Sequence, residues 1–513
     1  MKQLIFILTL AAAAAQAQAP GNPKPKTPAV TPPNTGPEPS APGRLGGGPA
    51  GSPPVPLVKD LKFPPLRPIT IPQVETATLP NGMKLYLMED HELPVVNGSL
   101  RVRTGNLFDP PDKVGLASMT GIVLRTGGTE SKTGDQLDQE LENIAAGVES
   151  HIDETSGTVS FNALKENTDE VMAAFRDVLT SPAFRQDKVD LAKSQLRSGI
   201  ARRNDDAHGI TEREFADILY GKSTPYGWQM EYATIDRISR QDLADFYRRY
   251  FFPSNVMLAV WGDFHAAEMK SKIEALFRDW KVSQPPVPAF PTVQKVNATG
   301  TYLAVKTDVA QTFFSIGQMG GELRDQDFPA LEVMADILGG GFRSRLFQRV
   351  RTRMGNAYEI EADWGANYDH PGLFQITGST KSMSTVETVK AIQEEVQKIR
   401  TTEVTDDELN TAKQTALNGL VFAFDTKAKT LGRILTYEYY GYPKDFIQQY
   451  QKALATVTKA DILRVAKQRL DPGSFAIVAV GNPKDFAQPL SALGRPVTPI
   501  DLTIPEAAAA KHP

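Results

Sequence analysis

The stretch ISRQDLADFYRRYFFPSNVMLAVWGDF, residues 238–264, has a counterpart later in the chain, VTKADILRVAKQRLDPGSFAIVAVGNP, residues 457–483. Both stretches predict a helix with a hydroxyl cap, a proline turn and a strand that ends in glycine. The matched pairs share one offset (481 − 262 = 219): Ser239 with Thr458, Pro253 with Pro472, and Gly262 with Gly481. A repeat of this length indicates two duplicated domains and not a solenoid of short repeats.

The composition of the chain is that of an ordinary soluble globular protein. Of its 513 residues, 41% are hydrophobic and 23% are charged, and the formal net charge is −4. A net charge this small indicates neither nucleic acid nor an anionic membrane as a partner. The chain contains no cysteine, which excludes disulfides, thiolate metal sites and a cysteine nucleophile.

The first 17 residues are typical of a secretory signal peptide. Lys2 supplies a positive charge, residues 4–15 are apolar, and Ala15-Gln16-Ala17 is a small-x-small cleavage site. No later segment offers a long uncharged apolar run, so we expect no membrane insertion. The protein is therefore predicted to be soluble and periplasmic, or otherwise exported.

Proline-rich composition marks the two connecting segments. Residues 18–73 mix proline with glycine and serine, which favours an extended, disordered tether over a packed core. The run SQPPVP, residues 283–288, marks a second linker, after which strands and helices resume. The predicted divisions are a signal peptide (1–17), a tether (18–73), an N-terminal folded domain (74–282), a linker (283–298), a C-terminal folded domain (299–490) and a tail (491–513).

Apolar periodicity predicts the elements of both domains, and Asn81-Gly82 predicts a hairpin turn. Strands are predicted at residues 85–89, 99–104, 157–163, 256–261, 302–306, 312–318, 357–364 and 372–378. Helices are predicted at residues 115–124, 133–146, 169–179, 187–203, 212–220 and 240–251, and from Ser384 with a capping-box partner at Glu387. Strands and helices do not alternate regularly. We therefore predict an α+β fold of two homologous domains, each an antiparallel-rich mixed sheet covered by helices.

The stretch GGGFRSRLFQRVRTRMGNAY, residues 339–358, is the strongest candidate for a functional site. Its three glycines permit backbone angles closed to other residues. A short helix is predicted next, with Phe347 among its inward-facing residues and Gly355 as a left-handed cap. Arg351 at the helix end and Tyr358 at the start of a strand should then point into the same space. The alternative is an ordinary helix C-terminus whose cations complement the helix dipole.

Two duplicated α+β domains joined by a linker resemble the pitrilysin/insulinase-type zinc peptidases, including the mitochondrial processing peptidase. The resemblance covers roughly Val74 to Phe486. The segments that carry it are GLASMTGIVLRTGGT (115–129), RRYFFPSNVMLAVWGDF (248–264) and the glycine–arginine stretch at 339–358. The resemblance implies the processing-peptidase-like metallohydrolase fold.

Enzymes of this family bind zinc through an HxxEH helix. Two histidines and a distant glutamate hold the metal, and the glutamate of the motif activates water. At the matching helix of this chain, Ser118 replaces the first histidine, Gly121 the general base and Ile122 the second histidine. The distant glutamate falls near Ser198 or Gly199, and neither is a carboxylate. The resemblance therefore implies a degenerate site and no zinc cofactor in this chain.

The six histidines suggest no replacement zinc site. No two have helical i, i+4 spacing, and zinc sites without cysteine usually need two histidines. His151 lies among Glu149, Asp153 and Glu154, a group that is better interpreted as a solvated acidic turn than as a chelating site. No nucleophile–base constellation is recognisable either. The chain is therefore not expected to be catalytic alone.

In these peptidases, the second half of the complex presents an arginine followed seven positions later by a tyrosine, and Arg351 and Tyr358 have this spacing (358 − 351 = 7). The resemblance implies that the pair contacts the main chain of a peptide substrate, with Gly340, Gly341 and Phe342 at the mouth of the same chamber. The implied function is a non-catalytic subunit of a heterodimeric periplasmic zinc peptidase, whose homologous partner carries HxxEH and the zinc. The alternative is a scaffolding protein that has the same fold but no proteolytic activity. The core subunits of the respiratory cytochrome complex are proteins of this kind.

Overall fold

The structure is a computed structural model that describes residues 73–294, 296 and 298–506. The predicted signal peptide, residues 1–17, and all but the last residue of the predicted tether, 18–73, lie outside the described residues. The residues from 73 onward belong to one compact unit, so both predicted domains lie within it. Among the described helices, none is both long enough and apolar enough to cross a bilayer.

The first half of the unit is built on a six-stranded mixed sheet. Its strands are β1 (Glu75–Thr78), β2 (Lys84–Glu89), β3 (Val95–Arg103), β4 (Gly147–Ile152), β5 (Ser156–Leu164) and β6 (Val256–Gly262). Their order across the sheet is β1-β2-β6-β3-β5-β4, and β2 and β6 are its parallel pair. Every second residue of β3 is buried, as the pleat requires when one face lies against helices. The predicted hairpin turn joins β1 to β2, with Gly82 at a φ of 94°.

The described part of the first half has eight α-helices, and seven of them bury apolar side chains in the core against this sheet. The eight helices are α1 (Leu116–Thr126), α2 (Gly134–Asn143), α3 (Thr168–Thr180), α4 (Gln186–Arg202), α5 (Ala207–Tyr220), α6 (Tyr232–Arg237), α7 (Arg240–Tyr250) and α8 (Ala266–Leu276). Thr133 caps α2 with a capping box. Phe175 of α3 and Leu258 of β6 belong to the same buried cluster, so burial of apolar side chains between helices and sheet holds this half together.

The second half repeats the design. Its strands are β7 (Gly300–Val305), β8 (Gln311–Met319), β9 (Gly321–Glu322), β10 (Ala357–Trp364), β11 (Ala366–Asn367), β12 (Leu373–Lys381), β13 (Ala476–Gly481) and β14 (Val497–Ile500). The main sheet has the order β10-β12-β8-β13-β7-β14, and β9 pairs with β11 separately. The helices are α9 (Phe328–Gly339), α10 (Thr385–Thr401), α11 (Asp406–Val421), α12 (Lys427–Tyr440), α13 (Phe446–Thr456) and α14 (Lys459–Arg469).

The two sheets confirm the duplication. Five strands occur in the same order, β4-β5-β3-β6-β2 in the first sheet and β10-β12-β8-β13-β7 in the second. Helices α7 and α14 both begin with a capping box, Ser239 with Asp242 and Thr458 with Asp461. The offset between the boxes is the predicted one (461 − 242 = 219). The predicted α+β fold class is therefore confirmed.

One helix of each half packs on the sheet of the other half. Phe215 of α5 is buried in one cluster with Val478 of the second sheet, and Leu431 of α12 is buried with Tyr86 of the first sheet. The two helices are equivalent in the repeat, since they begin at residues 207 and 427 (427 − 207 = 220). Because each sheet needs a helix from the other half to cover it, the two halves form one unit.

The segment around His151 and the predicted tail differ from the sequence predictions. His151 lies in the edge strand β4 and not in a turn, because Val148 and Ile152 anchor this segment in the core. The sequence GVESHI hides this strand, since the side chains between its two anchors are polar. The tail predicted from residue 491 contains β14, which pairs with β7. The second sheet therefore extends to Ile500.

The predicted capping box at the start of α10 is also wrong. The Ser384 side chain makes no cap hydrogen bond. Glu387 instead accepts a hydrogen bond from the Asn356 side chain at 3.0 Å. The contact ties α10 to the residue that precedes β10, where the candidate site lies.

Candidate functional site

A short π-helix, Phe347–Arg353, carries the predicted arginine site. Val350 is fully buried and anchors its inner side. The N–H of Met354 donates to the carbonyl of Arg349 at 3.0 Å, five residues earlier, so the turn is wider than an α-helical turn. Gly355 ends the helix at a φ of 64°, as the predicted left-handed cap. The sequence therefore predicted the place and the end of this helix but not its type.

Four side chains line up beside this helix and are termed the aromatic–arginine stack. Phe342 meets Phe347 edge to face, with ring centres 4.9 Å apart. The guanidinium of Arg351 lies 4.6 Å from the centre of the Phe347 ring and 4.9 Å from the centre of the Tyr358 ring. The structure thus brings Arg351 and Tyr358 together, as predicted. Phe347 was expected in the core and is instead half-buried between Phe342 and Arg351.

Arg351 has no carboxylate partner among the described residues, unlike three other arginines of this segment. The neighbouring ion pairs are Arg343 with Asp407, Arg345 with Glu408, and Arg349 with Glu394 and Glu395. Arg351 is held by aromatic rings instead, a cation–π contact that does not use its N–H groups. These donors remain available to a ligand.

A β-bulge directs Tyr358 outward. Across β10 and β12, Ala357 pairs with Thr380 and Glu359 pairs with Ser379, so Tyr358 is an extra residue without a strand partner. Its side chain is 73% exposed. Within the part of the chain that the structure describes, its hydroxyl makes no hydrogen bond. The ring is therefore positioned by Arg351 while the hydroxyl is free to donate.

The glycines before the helix have two different roles. A Cβ on Gly339 would lie 2.1 Å from the nitrogen of Ala362, so α9 lies directly against β10 at this point. Gly340 ends α9, and Gly341 follows in the left-handed region at a φ of 141° with open space around it. Phe342 is then 73% exposed at the surface. Of the predicted mouth residues, Phe342 is the one that joins the stack.

Helix α1 carries the positions that match the zinc motif. Ser118 and Ile122 are half-buried, and neither is a zinc ligand of the family type. A Cβ on Gly121 would lie 2.5 Å from the nitrogen of Ile152. The Ser150 hydroxyl also donates to the Gly121 carbonyl at 2.6 Å. Glycine therefore allows α1 to lie in direct contact with β4, where a larger residue has no room.

A cavity of about 410 Å³ lies beside Ser118, and Gly199 of α4 lines it too, as expected for the position that matches the distant glutamate. Asp109 is the one carboxylate on its described wall. Both oxygens of Asp109 accept N–H groups at the start of α1 at 2.8 Å, and burial raises the pKa of Asp109 to about 7. One carboxylate and no histidine do not fit the zinc of active family members.

The structure also brings together residues that the sequence analysis missed. Glu89, His91 and His265 place ligand atoms within 4.8 Å of one another, although the histidines are 174 residues apart (265 − 91 = 174). A search for helical spacing does not find them, because strand pairing unites them. The signal in the sequence is an acid-x-histidine tripeptide at the carboxyl end of each of two strands, Glu89-Asp90-His91 and Asp263-Phe264-His265.

A duplicated α+β fold whose motif helix has no zinc ligands defines a class of zinc-peptidase homologues without a catalytic site of their own. Comparison with protein-family models agrees with this class. Residues 85–223 match the model "Insulinase (Peptidase family M16)", and residues 237–416 match "Peptidase M16 inactive domain". The chain belongs to this insulinase family, as a member that lacks the HxxEH motif.

Individual relatives are similar over most of the chain. A protein of Helicobacter pylori named non-peptidase homolog YmxG is 24% identical over 408 residues, which cover 77% of this chain and 91% of the relative. A probable mitochondrial-processing peptidase subunit beta of Arabidopsis thaliana is 23% identical over 439 residues, which cover 82% of this chain and 80% of the relative. A crystal structure of a peptidase M16 inactive domain from Pseudomonas fluorescens has a TM-score of 0.71 at 21% identity, and covers 82% of this chain and 100% of that chain.

Proposed function

We propose that this chain is the non-catalytic, substrate-binding subunit of a heterodimeric, exported zinc peptidase. The observation that carries the proposal is the aromatic–arginine stack, in which Arg351 and Tyr358 hold each other while their polar ends lack partners in the described chain. A homologous partner with an HxxEH helix would supply the zinc and the glutamate that activates water. This chain would supply substrate contacts and half of the chamber.

The chemistry of the stack suits the main chain of an extended peptide. Arg351 offers several N–H donors in one plane, and Tyr358 offers one O–H donor. Peptide carbonyls are acceptors in every sequence, so such contacts bind without selecting side chains. When a carbonyl becomes an oxyanion during hydrolysis, a phenol donor beside it stabilises the developing charge. Phe342 and Phe347 add apolar surface next to these donors.

The comparisons support a subunit role without specifying the partner. One similar protein is named as a subunit of a processing peptidase, and another is named a non-peptidase homolog. A chain that lacks its own zinc ligands can take part in peptide cleavage only if another chain brings the catalytic machinery. The signal-peptide pattern of residues 1–17 supports export of such a pair, with the periplasm as its compartment.

Reconstitution with a homologous HxxEH chain tests the proposal. The pair is expected to cleave an unstructured peptide much faster than either chain alone. Arg351→Ala should lower cleavage while leaving the pair intact. Arg353→Ala is the matched control, because Arg353 lies in the same helix outside the stack and donates to the Gln348 carbonyl. Equal cleavage by the HxxEH chain with and without this subunit would contradict the proposal.

A scaffolding protein of the same fold is the second candidate. One observation is consistent with it: the cavity beside Ser118 carries a single carboxylate and no histidine, so the motif helix supplies no catalytic zinc site. A scaffold should bind its partner and stabilise it, but Arg351→Ala should then leave turnover unchanged. The same reconstitution therefore separates the two candidates.

A further inference from the structure

We propose that Glu89, His91 and His265 form a binding site for a zinc-class divalent cation, separate from the degenerate helix α1. One nitrogen from each histidine and one carboxylate oxygen all lie within 4.8 Å of one another. Two histidines and a glutamate are a donor set that zinc uses in proteins. None of the three residues occupies a position that matches the zinc motif of the family.

Sheet topology brings these ligands together. Strands β2 and β6 run parallel, and Glu89 pairs with Gly262 at their carboxyl ends. His91 follows the end of β2 by two residues, and His265 follows the end of β6 by three. The N–H of Asp90 donates to the carbonyl of Gly262 at 2.7 Å. This bond fixes the turn after β2 against the turn after β6.

Hydrogen bonds to the ligand atoms that face away from the proposed metal hold His91 and Glu89 in position. The Nδ1 of His91 donates to Oδ1 of Asp263 at 2.6 Å, and Lys165 lies 2.9 Å from the other oxygen of Asp263. The Oε1 of Glu89 accepts the N–H of Ala266 at 2.7 Å. The Nε2 of His91 and the Oε2 of Glu89 are left to face each other. A carboxylate behind the imidazole is the usual support for a histidine that binds a metal.

The distance between the two facing atoms suits two ligands of one metal ion. Nε2 of His91 and Oε2 of Glu89 are 3.2 Å apart, close to the ~3.3 Å that separates two ligands of a tetrahedral zinc. A hydrogen bond accounts for this contact when a proton lies between the two atoms, and a metal ion bound by both atoms would replace that proton. His265, whose ring centre is 5.8 Å from that of His91, supplies the third ligand that a metal needs and a proton does not.

The position of the site indicates what the metal would do. All three ligands are exposed, so water would complete the coordination. Asp90, in the turn after β2, forms an ion pair with Lys427. Lys427 begins α12, the helix of the second half that packs on the first sheet. A bound metal would therefore brace a turn that joins the two halves. Zinc should raise the melting temperature, because a ligand that binds only the folded state stabilises it.

Calorimetric titration of zinc into the full chain tests the proposal at mildly alkaline pH, where free imidazole is neutral. The wild type should bind one zinc per chain, and cobalt(II) should give the absorption of a tetrahedral ion. His265→Asn should abolish stoichiometric binding, and Asp263→Asn should weaken it ~10–100-fold. His208→Asn is the matched control, because His208 is an exposed histidine beside a carboxylate, Glu212, and should bind zinc as the wild type does.

Equal titrations of the wild type and His265→Asn would overturn the proposal, and so would the absence of binding by the wild type. Circular dichroism without metal verifies folding of each variant. If His265→Asn does not fold, His91→Asn replaces it, since the His91 side chain is 51% exposed. The measurement needs neither a partner chain nor a peptide, so its result is independent of the proposed peptidase subunit.

Discussion

The guanidinium of Arg351 lies 4.9 Å from the centre of the Tyr358 ring, across a helix end, a glycine turn and a strand start. Two local devices create this contact. Gly355 in the left-handed region reverses the chain, and the bulge in β10 turns Tyr358 away from the strand ladder. The backbone conformation of this segment therefore places the two side chains in contact, and neither side chain needs to pack in the core.

Tyr358→Phe tests the hydroxyl alone. Because this hydroxyl has no partner among the described residues, we expect the free energy of unfolding to change by less than about 0.5 kcal/mol. In the reconstituted pair, kcat should fall roughly 10²-fold, the scale seen when one oxyanion donor is removed. Melting temperature, partner binding and kcat on an unstructured peptide are measured together. An unchanged kcat in a stable pair would favour the scaffold, and loss of pairing would make the residue structural.

Gly121→Ala and Gly199→Ala form a matched pair of helix substitutions. Alanine is favoured over glycine inside a helix by up to about 1 kcal/mol. A Cβ on Gly199 meets nothing within 4 Å, whereas a Cβ on Gly121 would lie 2.5 Å from the Ile152 nitrogen. We expect Gly199→Ala to preserve or raise the melting temperature and Gly121→Ala to lower stability by about 1–3 kcal/mol. Equal melting curves would contradict the direct contact of α1 with β4.

Glu408→Gln should change the acid stability of the segment that carries the stack. Partial burial acts to raise the pKa of Glu408, but hydrogen bonds from Arg345 and Thr405 outweigh it and lower the pKa from 4.5 to about 2. A lowered folded-state pKa adds stability that is complete above the unfolded-state value and is lost as the pH falls from about 4.5 to about 2. After a discount for solvent screening, this contribution is about 1–2 kcal/mol at neutral pH.

Denaturant unfolding of Glu408→Gln across this pH range measures the effect. The variant should be less stable at neutral pH and should lose less stability on acidification than the wild type does. Asp407→Asn is the control, because its pair with Arg343 is exposed on both sides and should contribute little. Parallel acid profiles for the wild type and Glu408→Gln would refute the expected role of the pair.

Metal analysis of a His91→Asn/His265→Asn double variant tests the degenerate motif. Ser118, Gly121 and Ile122 offer no family-type zinc ligand, so the variant should retain no stoichiometric zinc after dialysis against trace zinc. The wild type is analysed in parallel, and any zinc that it holds should depend on the two histidines. About one tightly held zinc per chain in the double variant would mean that α1 or another region binds zinc after all.

Local signals in the sequence predicted the fold and the proximity of Arg351 to Tyr358. The duplication could be predicted because capping boxes and strand-ending glycines are recognisable from nearby residues, and these features recur at a constant offset. Arg351 and Tyr358 could be placed together because only a glycine turn separates their elements. Their role in substrate binding stays a prediction.

Features that depend on distant pairing could not be predicted in this way. The Glu89–His265 cluster exists because β2 pairs with β6 in parallel, and no local periodicity encodes that choice. The packing of α5 and α12 on the sheet of the other half also depends on contacts between residues that are distant in the sequence. Strand β4 was missed because its central residues are polar at an exposed sheet edge.

The contact between Gly121 and β4 bears on how this chain can evolve. A return to HxxEH would require a glutamate at position 121, where even one methyl group meets the backbone of Ile152. The earliest steps of such a reversal would weaken folding before any metal could be held. Selection would therefore act against these intermediates, and the packing of α1 on β4 would hinder a change of this helix to the zinc motif of the family.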